Sequence, residues 1–267
     1  MVSLCVYSHS DYFDILKIQM DYILSLNIPC DIYLFVNTPF TMSGGKRTKY
    51  KSIKRRYRTR KRLRGGGMEK VKTILYDDKL PYFQRILGCI EQVNTTHFII
   101  THDNDILIQF DIDAINRLVN VMTTNNIDAV KLHNITGNPE IHIKDALYIS
   151  PIKDDEMYRY SVNPRLWNKV SALKLFSSFP QKDYRSSEGA NVQEFSKKQK
   201  VYTLCESPVI MAYHAQAKCY VAMHITLGGA IAQYDKMQDR NPDPIIISEY
   251  NKIKNKYFKN TKRSFHV

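Results

Sequence analysis

The sequence contains no Gly-x-Gly-x-x-Gly and no Gly-x-x-x-x-Gly-Lys-Ser/Thr, so neither a dinucleotide-binding turn nor a P-loop is supported. No apolar run approaches the ~18 to 20 residues of a membrane span. The N-terminus enters a strand pattern at once, with no charged region, apolar stretch and cleavage site before it, and a cytoplasmic protein is expected. Cysteine is scarce: Cys5, Cys30, Cys89, Cys205 and Cys219 are odd in number and show no C-x-x-C or zinc-finger spacing. A disulfide scaffold is thereby excluded, and buried free thiols in a reducing compartment are expected. Internal repeats are also lacking.

What is present is a chain of 267 residues, 43% of them hydrophobic, enough for a full core in one large α/β domain or two small ones. The formal charge of +13 suggests a polyanion partner until its location is considered. Lys46 to Arg64 holds 12 basic residues and no acid; the 39 basic residues less these 12 leave 27 to set against 26 acids, so the body is nearly neutral. That segment is bracketed by Gly44, Gly45 and Gly65 to Gly67 and offers only Ile53 and Leu63 as aliphatic residues. Like charges repel and little apolar area is available to offset ordering, so residues 43–67 read as a disordered insertion. Either it is a localisation signal or tether to nucleic acid or an anionic membrane surface, or it is a tolerated insertion without a task. The basic stretch 250–267 reads as a tail with a fraying helix.

Apolar patterning alternates between strand and helix through the first half. Strands are expected at 2–9, 31–38, 72–78, 97–108 and 127–134. Helices fall between them: one with Phe13, Leu16, Met20, Ile23 and Leu24 on a face, a Pro81-initiated one through Val93, and one over 111–125. This predicts an α/β fold, a mostly parallel sheet flanked by helices, whose ligands bind beyond the carboxyl ends of the strands. Tyr7, Ser8 and His9, then Asn37 and Thr38, then Asp77 and Asp78, then Asp103, Asn104 and Asp105 should converge on one edge. The second half is less regular, with a strand expected at 141–150, a helix opened by Asn163 and Pro164 with Leu166, Trp167, Val170 and Leu173 on one face, a helix from about Ser187, and a strand at 200–206.

Polar residues interrupt the most strand-like segment, IITHDNDILI, at its centre. A carboxylate buried without a partner costs several kcal/mol, so Asp103 and Asp105 must be exposed at a strand end or hold a cation. Side chains at i and i+2 of an extended chain share a face. Two hard oxygens side by side suit Mg²⁺ or Mn²⁺, with positions left for phosphate and water. The alternative is a solvated loop with an Asp capping the next helix.

The strand order, HDNDIL after the fourth strand, YSVNPRLWNKVSALKLF and SSEGANVQEF together resemble nucleotide-sugar-dependent glycosyltransferases of the GT-A (Rossmann-like) fold with a D-x-D motif. The likeness runs over most of the chain outside residues 43–67 and implies a single domain over 1–267 with an acceptor-side C-terminal half. It implies that Asp103 lies near the ribose or the metal shell and that Asp105 coordinates Mn²⁺ or Mg²⁺ bridging the donor diphosphate. Arg85 falls where such enzymes place an Arg facing the nucleotide, or is a surface helix residue. Asn37 stands where many carry an Asp, a departure from the pattern. Tyr7 and Ser8 would line the base pocket or simply fill a strand. Glu188 matches the carboxylate presented beneath the acceptor, with Glu194 and then Asp183 behind it; an acid in a helix first turn capped by Ser186 or Ser187 is the competing reading. His224 is the third metal ligand the likeness offers, with His214 behind it, or a satisfied core histidine. Gly228 and Gly229 would allow close backbone approach or a turn, and Trp167 would stack on an acceptor sugar or belong to the core. A Gly-bracketed basic insertion is also similar to those of enzymes from large DNA viruses, which would put the protein in host cytoplasm.

These features imply a metal-dependent, inverting transferase taking a nucleotide-sugar donor and a glycan, lipid or protein acceptor. A nucleotidyltransferase or nuclease would use the same carboxylates but want a third acid, for which Asp111 and Asp113 are available although they read as a helix cap and first turn. A nucleic-acid binder acting through the basic segment would carry a basic face across its domain, which the neutral body lacks.

Overall fold

The computed structural model describes residues 2–40, 71–103, 105–132, 138–156, 159–184, 186–206 and 220–224, with positions 248, 251, 252 and 255. The insertion at 43–67, Asn104, His214, Cys219, Gly228 and Gly229 lie outside the described residues, as does nearly all of the tail.

In chain order the elements are β1 (Val2–Tyr7), a 3-10 turn (Ser10–Tyr12), α1 (Phe13–Ser25), β2 (Asp31–Val36), β3 (Val71–Leu75), α2 (Tyr82–Glu91), β4 (His97–His102), β5 (Asp105–Phe110) and α3 (Ile112–Asn125). There follow β6 (Ala129–Lys131), β7 (Ile141–Lys144), β8 (Leu147–Pro151), β9 (Arg165–Asn168), α4 (Lys169–Ser178), α5 (Ala190–Ser196), β10 (Val201–Glu206) and β11 (Tyr220–His224). Nine strands form one sheet in the order β3-β2-β1-β4-β9-β6-β10-β8-β7. β1, β2, β3 and β4 pair in parallel, as do β6 and β10; β9 is antiparallel to both β4 and β6, and β8 to both β10 and β7. Seven strands therefore run one way and only β8 and β9 oppose them, which is the expected mostly parallel α/β class.

Helices cover both faces because β1 alternates. Val2, Leu4 and Val6 pack with Leu16, Met20 and Ile23 of α1 and with Ile115 and Leu118 of α3. Cys5 and Tyr7 face the other way, toward Phe83 and Ile86 of α2, Leu175 of α4 and Val192 of α5. Burying aliphatic side chains on both faces is worth about 1.5 to 3 kcal/mol each, and it explains why the central strands read as unbroken apolar runs. Of the described cysteines, Cys5, Cys89 and Cys205 are buried and Cys30 is half-buried, none of them in a disulfide. Among the described residues no helix is long and apolar enough to cross a membrane.

Three expected elements are corrected. The strand predicted over 97–108 is two: β4 ends at His102, and β5 leaves the main sheet to pair with β11. The polar interruption is the break itself. The helix predicted from Asn163 and Pro164 starts instead at Lys169, capped by Asn168, whose Oδ1 accepts from the amides of Val170 (2.9 Å) and Ser171 (3.4 Å). Leu166 and Trp167 belong to β9, inside the sheet. The strand predicted over 141–150 is the hairpin β7–β8, turning at Asp145 with φ +50°.

Candidate functional site

The sheet order changes direction at β1, with β2 on one side and β4 on the other, so a crevice opens beyond their carboxyl ends. Some of the polar residues expected there meet: Ser8 with Asp103, and His9 and Asn37 with Asp78. The amide of Asp103 donates to Tyr7 O (3.0 Å), extending the β1–β4 ladder, and the Ser8 hydroxyl donates to Asp103 Oδ2 (2.6 Å). Next to this, Asp11 N donates to His9 Nδ1 (3.2 Å), which leaves the proton on Nε2, and Nε2 donates to Asp78 Oδ2 (2.8 Å). Asn37 Nδ2 donates to the same carboxylate oxygen (3.1 Å) and to Ser10 Oγ (3.0 Å), while its Oδ1 accepts from Ser10 N (2.8 Å).

Arg85, in the first turns of α2, forms an ion pair with Asp78 Oδ1 (3.1 Å), donates to the carbonyls of Leu80 and Asp78, and lies over the Tyr76 ring (5.5 Å to the centroid). Burial works to raise the Asp78 carboxyl, but hydrogen bonds from His9 and Asn37 and the nearby Arg85 charge outweigh it and hold the group below its ordinary range. Asn37 thus meets a carboxylate carried three residues past the end of β3. Asp78 was visible as a strand-end residue, but its meeting with Asn37 was not, since 41 positions separate them.

Tyr7 is not open to this crevice. Its ring stacks on Tyr76 (5.0 Å, 8°) and meets Tyr82 edge-on (5.3 Å), and Tyr76 Oη donates to Ser8 O (2.8 Å). Beneath β4, the Tyr82 hydroxyl and His102 Nε2 share a buried hydrogen bond of 2.8 Å.

Asp103 is 9% exposed and Asp105 3%. They flank the break between β4 and β5, and the backbone register of β11 sets His224 opposite Asp105. Among the described residues no three His, Cys, Asp or Glu side chains are grouped as a metal cluster. Asp111 caps α3 through Asp113 N and Ala114 N (both 3.0 Å) and pairs with Lys144 (2.8 Å). It lies at the far end of β5, ~20 Å along the strand from Asp105, so it does not complete a carboxylate triad.

The other side of the crevice is built by the segment entering β9 and the loop between α4 and α5. Gln193 of α5 clamps Tyr160, accepting from its amide (2.9 Å) and donating to its carbonyl (2.8 Å), and Glu188 Oε1 accepts from Val162 N (2.7 Å). Gly189 is the N-cap of α5, so Glu188 precedes the helix. Neither serine caps it: Ser186 Oγ donates to Asp183 Oδ1 (3.0 Å), and Ser187 Oγ donates to Tyr184 O (2.8 Å). The first-turn reading of Glu188 is therefore overturned. Glu194 points outward in an ion pair with Lys197, and Trp167, 1% exposed, belongs to the core with Tyr160 and Phe176.

Two cations lie in this wall that sequence patterning did not single out. Arg165 of β9 is 1% exposed, lies over the Tyr160 (5.4 Å) and Trp167 (5.2 Å) rings, and donates from Nη2 to Arg159 O (2.9 Å), while Nε and Nη1 have no hydrogen-bond partner. Burial pulls its guanidinium down to about 10. Lys131 is directly opposite it in β6, and burial, reinforced by the Arg165 charge, pulls its ammonium down to about 8 against the opposing pull of Glu156 and Glu188. Tyr184 was also missed. It is 48% exposed, and burial of part of its ring, then the carboxylates of Asp105, Glu188 and Asp103, push its phenol up to about 12. No local signal marks it, because its neighbours in sequence are polar loop residues.

No protein-family model matches the chain, and no curated protein matches it either. Several solved structures resemble it at low identity. A cytidylyltransferase from Leptospira borgpetersenii is 9% identical with a TM-score of 0.46, covering 99% of both chains. A UDP-glucose pyrophosphorylase complexed with UDP-glucose is 9% identical with a TM-score of 0.46, covering 94% of this chain and 100% of that one. TarS 1–349 of S. aureus is 8% identical with a TM-score of 0.42, covering 97% and 73%.

Proposed function

We propose that this chain is a transferase that moves a sugar from a nucleoside-diphosphate donor to a glycan, lipid or protein hydroxyl, dependent on Mn²⁺ or Mg²⁺ and inverting at the anomeric carbon. The observation that supports it is the placing of two buried carboxylates, Asp103 and Asp105, on either side of the break between β4 and β5 at the carboxyl edge of the parallel strands, with Glu188 carried toward the same aromatic, Tyr184, by a loop from the second half.

The donor set is of the right chemistry for a hard cation: two buried carboxylates two positions apart in sequence would supply oxygens and leave positions for diphosphate oxygens. Asp103, Asp105 and, in this reading, His224 would hold it. The cation when bound supplies charge neutralisation of the leaving diphosphate. Ser8 orients Asp103 through its 2.6 Å hydrogen bond. Asn37 and Arg85, joined through Asp78, form the rim that the nucleoside meets, and Tyr7 supports that rim from beneath. Glu188 takes the proton of the acceptor hydroxyl during attack, since an alcohol is a poor nucleophile until deprotonated; the Val162 amide fixes the orientation of its carboxylate.

A thermal-shift screen of nucleoside diphosphates with and without Mn²⁺ tests the reading. A nucleotide at about 100 times its Kd adds roughly 2.7 kcal/mol of stability. At least one should raise Tm with Mn²⁺, and Asp105→Asn should abolish that shift while leaving the metal-free fold as stable as before or slightly more so. Equal nucleotide affinity in this variant and the parent would remove the metal assignment. NMR of the product's anomeric proton decides inversion, and a retained configuration would remove the need for Glu188 as base.

A further inference from the structure

Tyr184 occupies a place that the roles above leave unexplained. An aromatic side chain with half its surface exposed is ordinary on a loop, but this one is held from three directions. The turn that carries it is closed at Tyr184 O, which accepts from Ser187 Oγ (2.8 Å) and Ser187 N (3.4 Å), and the residue after Ser187 is Glu188. The loop is anchored at its start by the Phe83 amide of α2, which donates to Lys182 O (3.2 Å). The ring meets Tyr82 edge-on (5.2 Å, 90°) and His102 (5.8 Å, 72°), and the residue after His102 is Asp103. Tyr82 and His102 are themselves fixed by their mutual hydrogen bond. Tyr184 is thus tied through its backbone to the Glu188 side of the crevice and through its ring to the Asp103 side.

We propose that Tyr184 is a sugar-contacting residue, its ring and hydroxyl forming the surface against which the transferred glycosyl group of a nucleotide-sugar rests between the carboxylate pair and Glu188. This deepens the reading of the same site and rests on it. An aromatic ring presents an apolar face to the C–H bonds of a pyranose, and a phenol can donate to a ring hydroxyl. A phenol with an ordinary pKa of about 10 is a donor at neutral pH. Because the ring's fixed contacts are with protein, its position does not depend on the nucleotide.

The test compares, in Mn²⁺, dissociation constants of nucleoside diphosphates and of the same diphosphates carrying a hexose. The quantity read is the ratio of the two constants for parent, Tyr184→Ala and Tyr184→Phe. Tyr184→Ala should change the ratio about tenfold against the sugar conjugate, equivalent to about 1.4 kcal/mol, with the bare diphosphate bound within about twofold of the parent. Tyr184→Phe, which keeps the ring packing on Tyr82 and His102, should fold as the parent does and change the ratio about threefold, the share of one hydrogen bond. An unchanged ratio in both variants overturns the proposal while leaving the transferase reading intact. Loss of both ligands in equal measure overturns it too, because the residue then supports the fold or the nucleotide rather than the sugar. Failure of the parent to bind any of the diphosphates overturns the transferase reading and this inference with it. Should Tyr184→Ala not fold, the ratio for Tyr184→Phe decides alone.

Discussion

The two walls of the crevice satisfy their polar groups in opposite ways. On the wall formed by the ends of β1, β2 and β3, His9, Asn37, Asp78 and Arg85 are partly exposed and bond to one another, the Asp78 carboxylate accepting from all three others. On the wall formed by β6 and β9, Arg165 and Lys131 are buried side by side, and Arg165 has one hydrogen bond for its three nitrogens. A surface network of this kind contributes little to stability and much to the placement of its members. A buried like-charged pair costs stability, and such costs concentrate where a protein binds or reacts.

The contrast can be broken at several points. The largest effect is expected at Glu188. Glu188→Gln should keep the bond from Val162 N and so the melting temperature, yet lose transfer by about 10² to 10⁴ with donor affinity unchanged. Glu188→Ala should lose the same activity and also about 1 to 3 kcal/mol of stability by orphaning the Val162 amide. A Gln variant that turned over like the parent would reduce Glu188 to a loop clamp.

Next comes Arg165→Met, which replaces an under-bonded guanidinium with an apolar chain of similar length between two aromatic rings. Denaturant unfolding should show it as stable as the parent or more stable by about 1 to 4 kcal/mol. A loss of comparable size would mean that ring stacking and the bond to Arg159 O outweigh the charge's burial.

Lys131 yields a pH signature. Its folded pKa of about 8 lies below the ordinary 10.5, so between those values the unfolded chain binds more protons and stability rises with pH. Below pH 8 the buried charge is present at full cost. Relative to Lys131→Met, the parent should therefore gain on the order of 2 to 3 kcal/mol between pH 8 and 10.5. A difference independent of pH would show that the ammonium is already compensated.

The smallest effect belongs to the exposed wall. Asn37→Ala should cost about 1 kcal/mol in urea unfolding, and a double-mutant cycle with Asp78→Ala should recover part of it as coupling. Strict additivity would show that the two do not act as a unit.

Most of the exposed wall was legible in the sequence because His9, Asn37 and Asp78 come within three residues of a strand's end, and parallel strands bring their carboxyl ends together whatever lies between; Arg85, on α2, falls outside that rule. Ser8, Asn37, Asp78 and Asp103 all obey that rule. The buried wall was not, because β9 enters the sheet in reverse, so its first residue, Arg165, arrives at the edge where other strands end. A four-residue strand followed at once by a helix also leaves Leu166, Trp167, Val170 and Leu173 at spacings that suit one continuous helix. Only Asn168, a good capping residue one position before Lys169, marked the change. The break at Asp103 was seen as a chemical anomaly but not as a change of sheet, since the pairing of β5 with β11 joins positions more than a hundred residues apart.

The reversed strand also imposes an order on assembly. As the chain leaves the ribosome, β1 to β4 can pair, but β4 and β6 each have an edge that only residues 165–168 can cover. Closure of that gap joins positions 69 apart, Phe98 and its partner Trp167, a non-local event that comes late and carries a loop-closure cost. Until then the nascent half-sheet has an open, apolar flank, the kind of surface that chaperones recognise and that self-associates at high concentration. Translation rate between β6 and β9 is therefore a variable that bears on yield of the folded protein, apart from any change in the finished molecule.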